Sequence, residues 1–440
     1  MIKKARIWVL GLAVVCSACA APSLRYKSDV QKMMAAGKFS EAAAWVEGKK
    51  NKMYADKDAH LYALDKAVLL HDAQSHQESD ALLAQAQQRI EDLYTKSASA
   101  TLGKVVVNDL TTPYEAADYE KAFTYFYRAM NFLQQDNLSD AAVEARRAAF
   151  FLDHLRASQQ KGYNDDPFIQ YFASLIFESV GQRSDARISR ENALNAYRKQ
   201  GGKLDVQTPH FVVPADADQW GEIILLHYNG LLPLKKTQTL QLAWNRAISI
   251  ASSPQETRYE VAPEVENAIY AGIMGNAITI ALPALENQRY QVRSSLAVVD
   301  GQRYPLLKMA NLGALAHQDL EEKMPGIWFR TVTRAVIKQV AAVQARHAVN
   351  HATDKQDSAL GDFAGMLVSV LGAAFEKADT RQWFTLPAEI HMTRIFVQPG
   401  KRDIQLLLKD GYGNIVGEKV FENVKVGRGE RVFLHYRSAR

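Results

Sequence analysis

The sequence predicts a multidomain α+β protein: an N-terminal α-helical array, then a mixed strand and helix region, then a small C-terminal antiparallel β sheet or sandwich. Three observations predict it. From Ser28 to about Arg198 the chain is rich in Ala, Leu, Gln and Glu and poor in Gly and Pro, the composition of packed helices. "RKQGGKLDVQTPHFVVPADADQWG" (198–221) then breaks the pattern with Gly, Pro and Asp. Beyond it, β-branched runs alternate with turn signals to the C-terminus. At 440 residues, 48% hydrophobic and 23% charged, the chain has material for two or three domains.

The N-terminus reads as an address. Lys3, Lys4 and Arg6 precede the uncharged apolar stretch "IWVLGLAVV" (7–15), and small residues follow it. That stretch is shorter than the roughly 20 residues that span a bilayer. Both cysteines fall next, in Cys16-Ser-Ala-Cys19. The spacing fits a dithiol or half a zinc site, but no further Cys or His ligands cluster nearby. Two cleavage readings stand: an ordinary signal peptidase cutting after Ala20, or lipidation at Cys19. "CSAC" resembles a bacterial lipobox, departing from it at Cys16, where an aliphatic residue is usual. The resemblance implies an acyl anchor on Cys19, and Ala20 at the next position implies the outer membrane. The segments expected are a lipoprotein signal peptide (1–18), an anchor linker (19–27), a helical domain (28–200), a mixed domain (201–357) and an apolar helix with a C-terminal β domain (358–440). The net charge of +5 falls to +2 once Lys3, Lys4 and Arg6 leave, and without any Lys/Arg tract nucleic acid is set aside as a partner.

A short echo organises the helical part. "GKFSEAA" (37–43), "SHQESDA" (75–81), "DNLSDAA" (136–142) and "GQRSDAR" (181–187) all align on Ser, an acid and Ala. Ser40, Ser79, Ser139 and Ser184 are expected to cap helix N-termini, with the following acid in the first turn. The spacings are 39, 60 and 45 residues (40 to 79, 79 to 139, 139 to 184). "AAGKFSEAAAWVE" resembles the inter-helix corner of a tetratricopeptide repeat, which implies three to four helix pairs and a concave protein-binding surface. A helical bundle with similarly capped corners is the alternative.

The longest spacing holds an insertion, "ATLGKVVVNDLTTPYEAADYEKAFTYFYRAMNFL" (100–133). Asn108, Asp109, Tyr114, Glu115, Tyr119 and Glu120 are candidates to line a partner-binding groove with Arg146 and Arg147 of the next helix. Tyr119, Phe123, Phe126 and Met130 also recur at helical spacing, the pattern of a core face.

Past the boundary, strands are expected at 222–230, 276–285 and 289–307, the last folded back at Asp300-Gly301. A long helix follows Pro325, with Arg330, Arg334 and Lys338 recurring on one face, either a solvated flank or a stripe facing an anion or partner. "FAGMLVSVLGAAF" (363–375) suits a buried helix. After Pro387 four short strands are expected, with turns at Pro399-Gly400, Asp410-Gly411 and Gly427–Gly429. In the joining segment "ADTRQWFTLP", Trp383 is expected to be buried, and Arg381 to pair with Asp379 or reach a carboxylate elsewhere.

"VVNDLTTPYEAADYEKAF", "DDPFIQYFASLIFESVGQRSDA" (165–186) and "ADTRQWFTLPAEI" together resemble a family of bacterial envelope lipoproteins with tetratricopeptide-like N-terminal halves. Some of that family are associated with genes for lipoprotein activators of peptidoglycan synthases. The resemblance brings no catalytic residues. Motifs for chemistry are weak. "HAVNH" sets His347 and His351 one helical turn apart without the glutamate of H-E-x-x-H. "SQQK" (158–161) matches S-x-x-K without its partner motifs. No nucleophile elbow, P-loop or dinucleotide fingerprint occurs. The sequence therefore leads to a non-catalytic, outer-membrane lipoprotein facing the periplasm, with no cofactor or metal. It would bind an envelope protein through Asn108, Tyr114, Glu115, Tyr119, Arg146 and Arg381. The alternative is a glycan-binding accessory factor in which exposed Tyr114 and Tyr119 stack on sugars.

Overall fold

A computed structural model describes residues 22–97, 109–157, 166–243, 247, 277–352 and 377–439. Cys16, Cys19, Asn108, the 158–161 motif and the 363–375 stretch lie outside the described residues, as do the side chains of Lys338, His347 and His351.

The N-terminal half is helical: α1 (Pro22–Ala35), α2 (Phe39–Met53), α3 (Ala59–Asp72), α4 (His76–Ser97), α5 (Asp118–Gln134), α6 (Leu138–Ala157), α7 (Pro167–Ser179) and α8 (Arg183–Leu204). The first helix begins inside the expected 19–27 linker. Each helix packs on the one before and the one after it. Four corners share one geometry. Gly37, Gln74, Asp136 and Gly181 are left-handed, with φ of 72°, 64°, 55° and 73°. The next residue in each corner returns a backbone bond five residues back: Lys38 to Met33, Ser75 to Leu70, Asn137 to Phe132 and Gln182 to Phe177. This ending satisfies carbonyls that the helix leaves open and reverses the chain.

The serine caps expected from the echo are not the capping groups. Ser40, Ser79, Ser139 and Ser184 all lie one or more residues inside their helices. Asn137 Oδ1 accepts from the Asp140 N–H (3.2 Å) and from Ser139 Oγ (2.9 Å) at the start of α6. Ser79 turns inward instead and donates to the Ala67 carbonyl at 2.7 Å, stitching α4 to α3. What the corners repeat is the left-handed residue, and at the second corner it is Gln74, five residues before Ser79 rather than three.

The strands are β1 (Gly221–Asn229), β2 (Leu234–Ala243), β3 (Ala277–Glu286), β4 (Ser294–Val299), β5 (Gln302–Pro305), β6 (Leu307–Asn311), β7 (Glu389–Val397), β8 (Gly400–Lys409), β9 (Ile415–Val426) and β10 (Arg431–Ser438). The four C-terminal strands form where the turn signals put them, but not as one sheet. A central sheet runs β10-β1-β7-β6 and an outer sheet β5-β4-β8-β9, while β2 and β3 pair as a ribbon. Strands from both sides of residue 358 thus share both larger sheets, so the expected 201–357 and 358–440 domains interleave. The β4–β5 hairpin turns at Asp300 (φ 49°) and Gly301 (φ 77°), as the Asp-Gly pair predicts.

Alternation along β1 explains the layering. Ile223 and Leu225 join a core with Ile404, Leu406 and Leu408 of the outer sheet. Ile224, Leu226 and Tyr228 join the large core of the helices. Because β1 is buried on both faces, it lacks the polar alternation of a surface strand. The last helix, α9 (Leu312–Ala352), starts earlier than its proline suggests and carries Pro325 inside it. It packs on β3, and Arg334 is 7% exposed there, so as a solvated flank the stripe is interrupted at its middle residue.

Candidate functional site

The segment that joins the apolar region to β7 organises the centre of the molecule. Residues 378–388 run along the inner side of α3 and α5, with Trp383, Phe384 and Leu386 wholly buried in the helical core. Buried acids of the helices hold this extended stretch. Glu120 Oε1 accepts the Trp383 N–H (3.1 Å), and Asp65 Oδ1 accepts the N–H (3.3 Å) and hydroxyl (3.1 Å) of Thr385. Lys27 donates to the Thr380 carbonyl at 2.8 Å. Gln382 Nε2 donates to the Pro233 carbonyl (2.8 Å), and its Oε1 accepts the Lys235 N–H.

Arg381 is the strut of this assembly. Its Nη1 donates to Asp58 Oδ1 (2.9 Å) and the Thr112 carbonyl (2.8 Å), while Nε and Nη2 grip Asp379 (2.9 and 2.7 Å). Burial alone would push the Asp379 carboxyl up, but the Arg381 hydrogen bonds and charge hold it below the usual carboxylate range. Asp58 also accepts the Tyr114 N–H at 2.8 Å, and the Tyr114 hydroxyl donates to Glu120 Oε2 at 2.5 Å. Burial and that neighbouring carboxylate raise the Tyr114 phenol well above its ordinary value. Of the two pairings expected for Arg381, both form at once.

The expected groove is therefore closed. Tyr114 and Tyr119 are 5% and 7% exposed and present no face to a sugar ring, which corrects their assignment as stacking platforms. The polar ends of Tyr114 and Glu120 are used inside the protein, since a buried hydroxyl or carboxylate must find a partner there. Tyr114, Glu115, Tyr119 and Glu120 do line a common crevice with Lys235, Asp319 and Lys323, but its volume of about 20 Å³ has room for about one water. Glu115 is exposed at its rim. Arg146 is not part of it: its guanidinium donates to Gln182 Oε1 (2.8 Å) and lies over the Phe177 ring, bracing the α7–α8 corner. Arg147 pairs with Glu144 at 3.2 Å on its own helix.

A wider opening lies on the other side of the same strut. Asp56, Lys57, His60, Gln85, Gln88, Arg89 and Asp92 line a cleft of about 280 Å³ between the start of α3 and the middle of α4. His60 Nε2 donates to the Tyr114 carbonyl at 2.8 Å. That bond fixes the tautomer and leaves Nδ1 as an acceptor with no partner among the described residues. Burial lowers the His60 pKa, against the pull of that carbonyl. The cleft offers two cations, two carboxylates, two amides and an imidazole acceptor, a lining suited to a polar, mixed-charge chain segment. Sequence reasoning passed over it. The available signal was polar residues at core spacing in "AHLYALDKAVLLHD", where His60, Asp65, His71 and Asp72 interrupt an otherwise apolar helix. No family model, curated protein or solved structure matches the chain.

Proposed function

We propose that the mature chain is a non-catalytic scaffold, anchored to the outer membrane through an acylated Cys19 and facing the periplasm. Its tetratricopeptide-like helical array binds a protein partner of an envelope assembly. The observation that carries this reading is the set of four corners with one left-handed geometry, joining helices that each pack on their chain neighbours. These features support reading the helices as a stacked array, whose common use is to present an extended surface to other chains. Here the inner surface is filled by the protein's own residues 378–388, so the partner surface is assigned to the α3–α4 cleft.

The test is mass spectrometry of proteins crosslinked to the tagged lipoprotein in intact cells, with a Cys19→Ser form alongside. An anchored scaffold gives a reproducible envelope partner that disappears in the Cys19→Ser form. Retention of the purified protein on isolated cell-wall glycan, with no protein partner recovered, would instead favour the glycan-binding reading.

A further inference from the structure

A second polar cluster is buried where the helical array meets the central sheet. His71 and Asp72 end α3, while His435 and Arg437 come from β10. A ring nitrogen of His71, a ring nitrogen of His435 and a carboxylate oxygen of Asp72 lie within 4.8 Å of one another. His71 is fully buried and His435 is 6% exposed. Eight polar atoms here have no hydrogen-bond partner among the described residues: His71 Nε2, both Asp72 oxygens, His435 Nδ1, the hydroxyls of Tyr127 and Tyr228, and Nε and Nη1 of Arg437. Buried polar atoms in folded proteins are nearly always satisfied by protein, water or an ion, so a convergent group of orphans marks a site.

The surroundings prepare the histidines for coordination. His71 Nδ1 donates to Asn131 Oδ1 (2.7 Å), Asn131 Nδ2 donates to Ser79 Oγ (2.9 Å), and Ser79 Oγ donates to the Ala67 carbonyl (2.7 Å). This relay fixes the tautomer and leaves Nε2 with its lone pair turned to no protein donor, the arrangement that outer partners impose on metal-binding histidines. The Gln74 side-chain amide meets His435 Nε2 at 3.2 Å. It is the amide nitrogen that faces Nε2, so turning the amide over is what puts its oxygen on Nε2–H and frees Nδ1. Arg437 Nε stands 3.9 Å from Asp72 Oδ2 and balances its charge. The two imidazoles overlap, with centroids 4.3 Å apart and planes 23° from parallel, so sharing an ion requires one ring to turn about its Cβ–Cγ bond.

We propose that His71, Asp72 and His435 form a binding site for a divalent transition cation of the zinc class, which ties the end of α3 to β10. Two imidazoles and one carboxylate suit zinc, whereas magnesium prefers an all-oxygen shell. The Tyr127 and Tyr228 hydroxyls supply hydrogen bonds to a water in the fourth position. The site joins residues far apart in the chain, so loading it stabilises the native state.

The test uses the full mature chain carrying His347→Ala and His351→Ala, so that the helical histidine pair contributes nothing. After dialysis against a chelator, the protein is titrated with cobalt(II), read by its visible d–d absorption, and then with zinc. The expected result is one cobalt per chain, displaced by zinc, with a zinc-dependent rise in Tm that magnesium does not reproduce. His435→Phe and Asp72→Asn abolish uptake, whereas His435→Cys retains it, with folding of each variant checked by far-UV circular dichroism without metal. Absence of stoichiometric uptake, or uptake that survives both His435→Phe and Asp72→Asn, overturns the proposal.

Discussion

Replacing Arg381 with alanine separates a strut from a contact residue. In the structure its guanidinium is 14% exposed and bridges Asp58, 6% exposed, to Asp379, 26% exposed. Deleting one member of a buried pair costs about 3–5 kcal/mol, because the other charge is left without compensation. Two features put this case at the lower end. Asp379 is open enough to regain water, and Asp58 keeps the Tyr114 N–H. The Thr112 carbonyl also loses a donor, so about 3 kcal/mol remains the expected loss. With a urea slope of about 3 kcal/mol/M, that is a midpoint shift of roughly 1 M, read by far-UV circular dichroism. Arg381→Ala combined with Asp58→Asn should lose little beyond Arg381→Ala alone, since the second change neutralises the stranded charge. A shift under about 0.3 M together with loss of the crosslinked partner would refute the structural reading and return Arg381 to the partner surface.

The corners and one buried carboxylate give further expectations. Gly181 is left-handed with nothing within 4 Å of an added Cβ, so Gly181→Ala pays only the backbone penalty, about 1–2 kcal/mol. Asp136→Gly at the equivalent place should gain up to about 1 kcal/mol; both are read as changes in Tm. Glu389 is pushed up by burial but brought down to about 2 by a hydrogen bond from His391 Nε2 (3.0 Å) and the charge of Lys308 (3.4 Å). A depressed carboxylate contributes stability in full above its unfolded pKa and loses it as pH falls, so acid unfolding should steepen between about pH 4.5 and 2. Glu389→Gln should flatten that interval, and an unchanged profile would contradict the assignment.

How much of this was legible in the sequence follows from the range of the interactions. The helices, the Asp300-Gly301 hairpin and the four C-terminal strands were readable because propensity, period and turn chemistry are local. The corner echo was visible too, but its meaning was misplaced. Serine hydroxyls looked like caps, whereas the repeated element is a left-handed residue, which Gln74 and Asp136 occupy without the usual glycine signal. Sheet membership was not readable. Parallel pairing of Glu222–Asn229 with Arg431–Ser438 joins segments about two hundred residues apart and leaves no local mark. The candidate site was half legible. Tyr114, Glu120 and Arg381 were each singled out, though in separate segments and for a partner surface; in the structure they are buried together as a fastening for residues 378–388. His60, Gln85 and Arg89 carry no motif, and only their positions on α3 and α4 bring them together.

The central claim is that the α3–α4 cleft receives a partner chain while the inner groove stays filled. A photo-crosslinking side chain placed at Gln88 in the full chain tests it in intact cells, with one at Tyr412, 94% exposed in the β8–β9 turn, as the control position. The account predicts a discrete protein adduct from position 88 that is absent from position 412 and lost with Arg89→Glu, while the Arg89→Glu protein keeps its Tm. Adducts identical at both positions, or undiminished by Arg89→Glu, would contradict it.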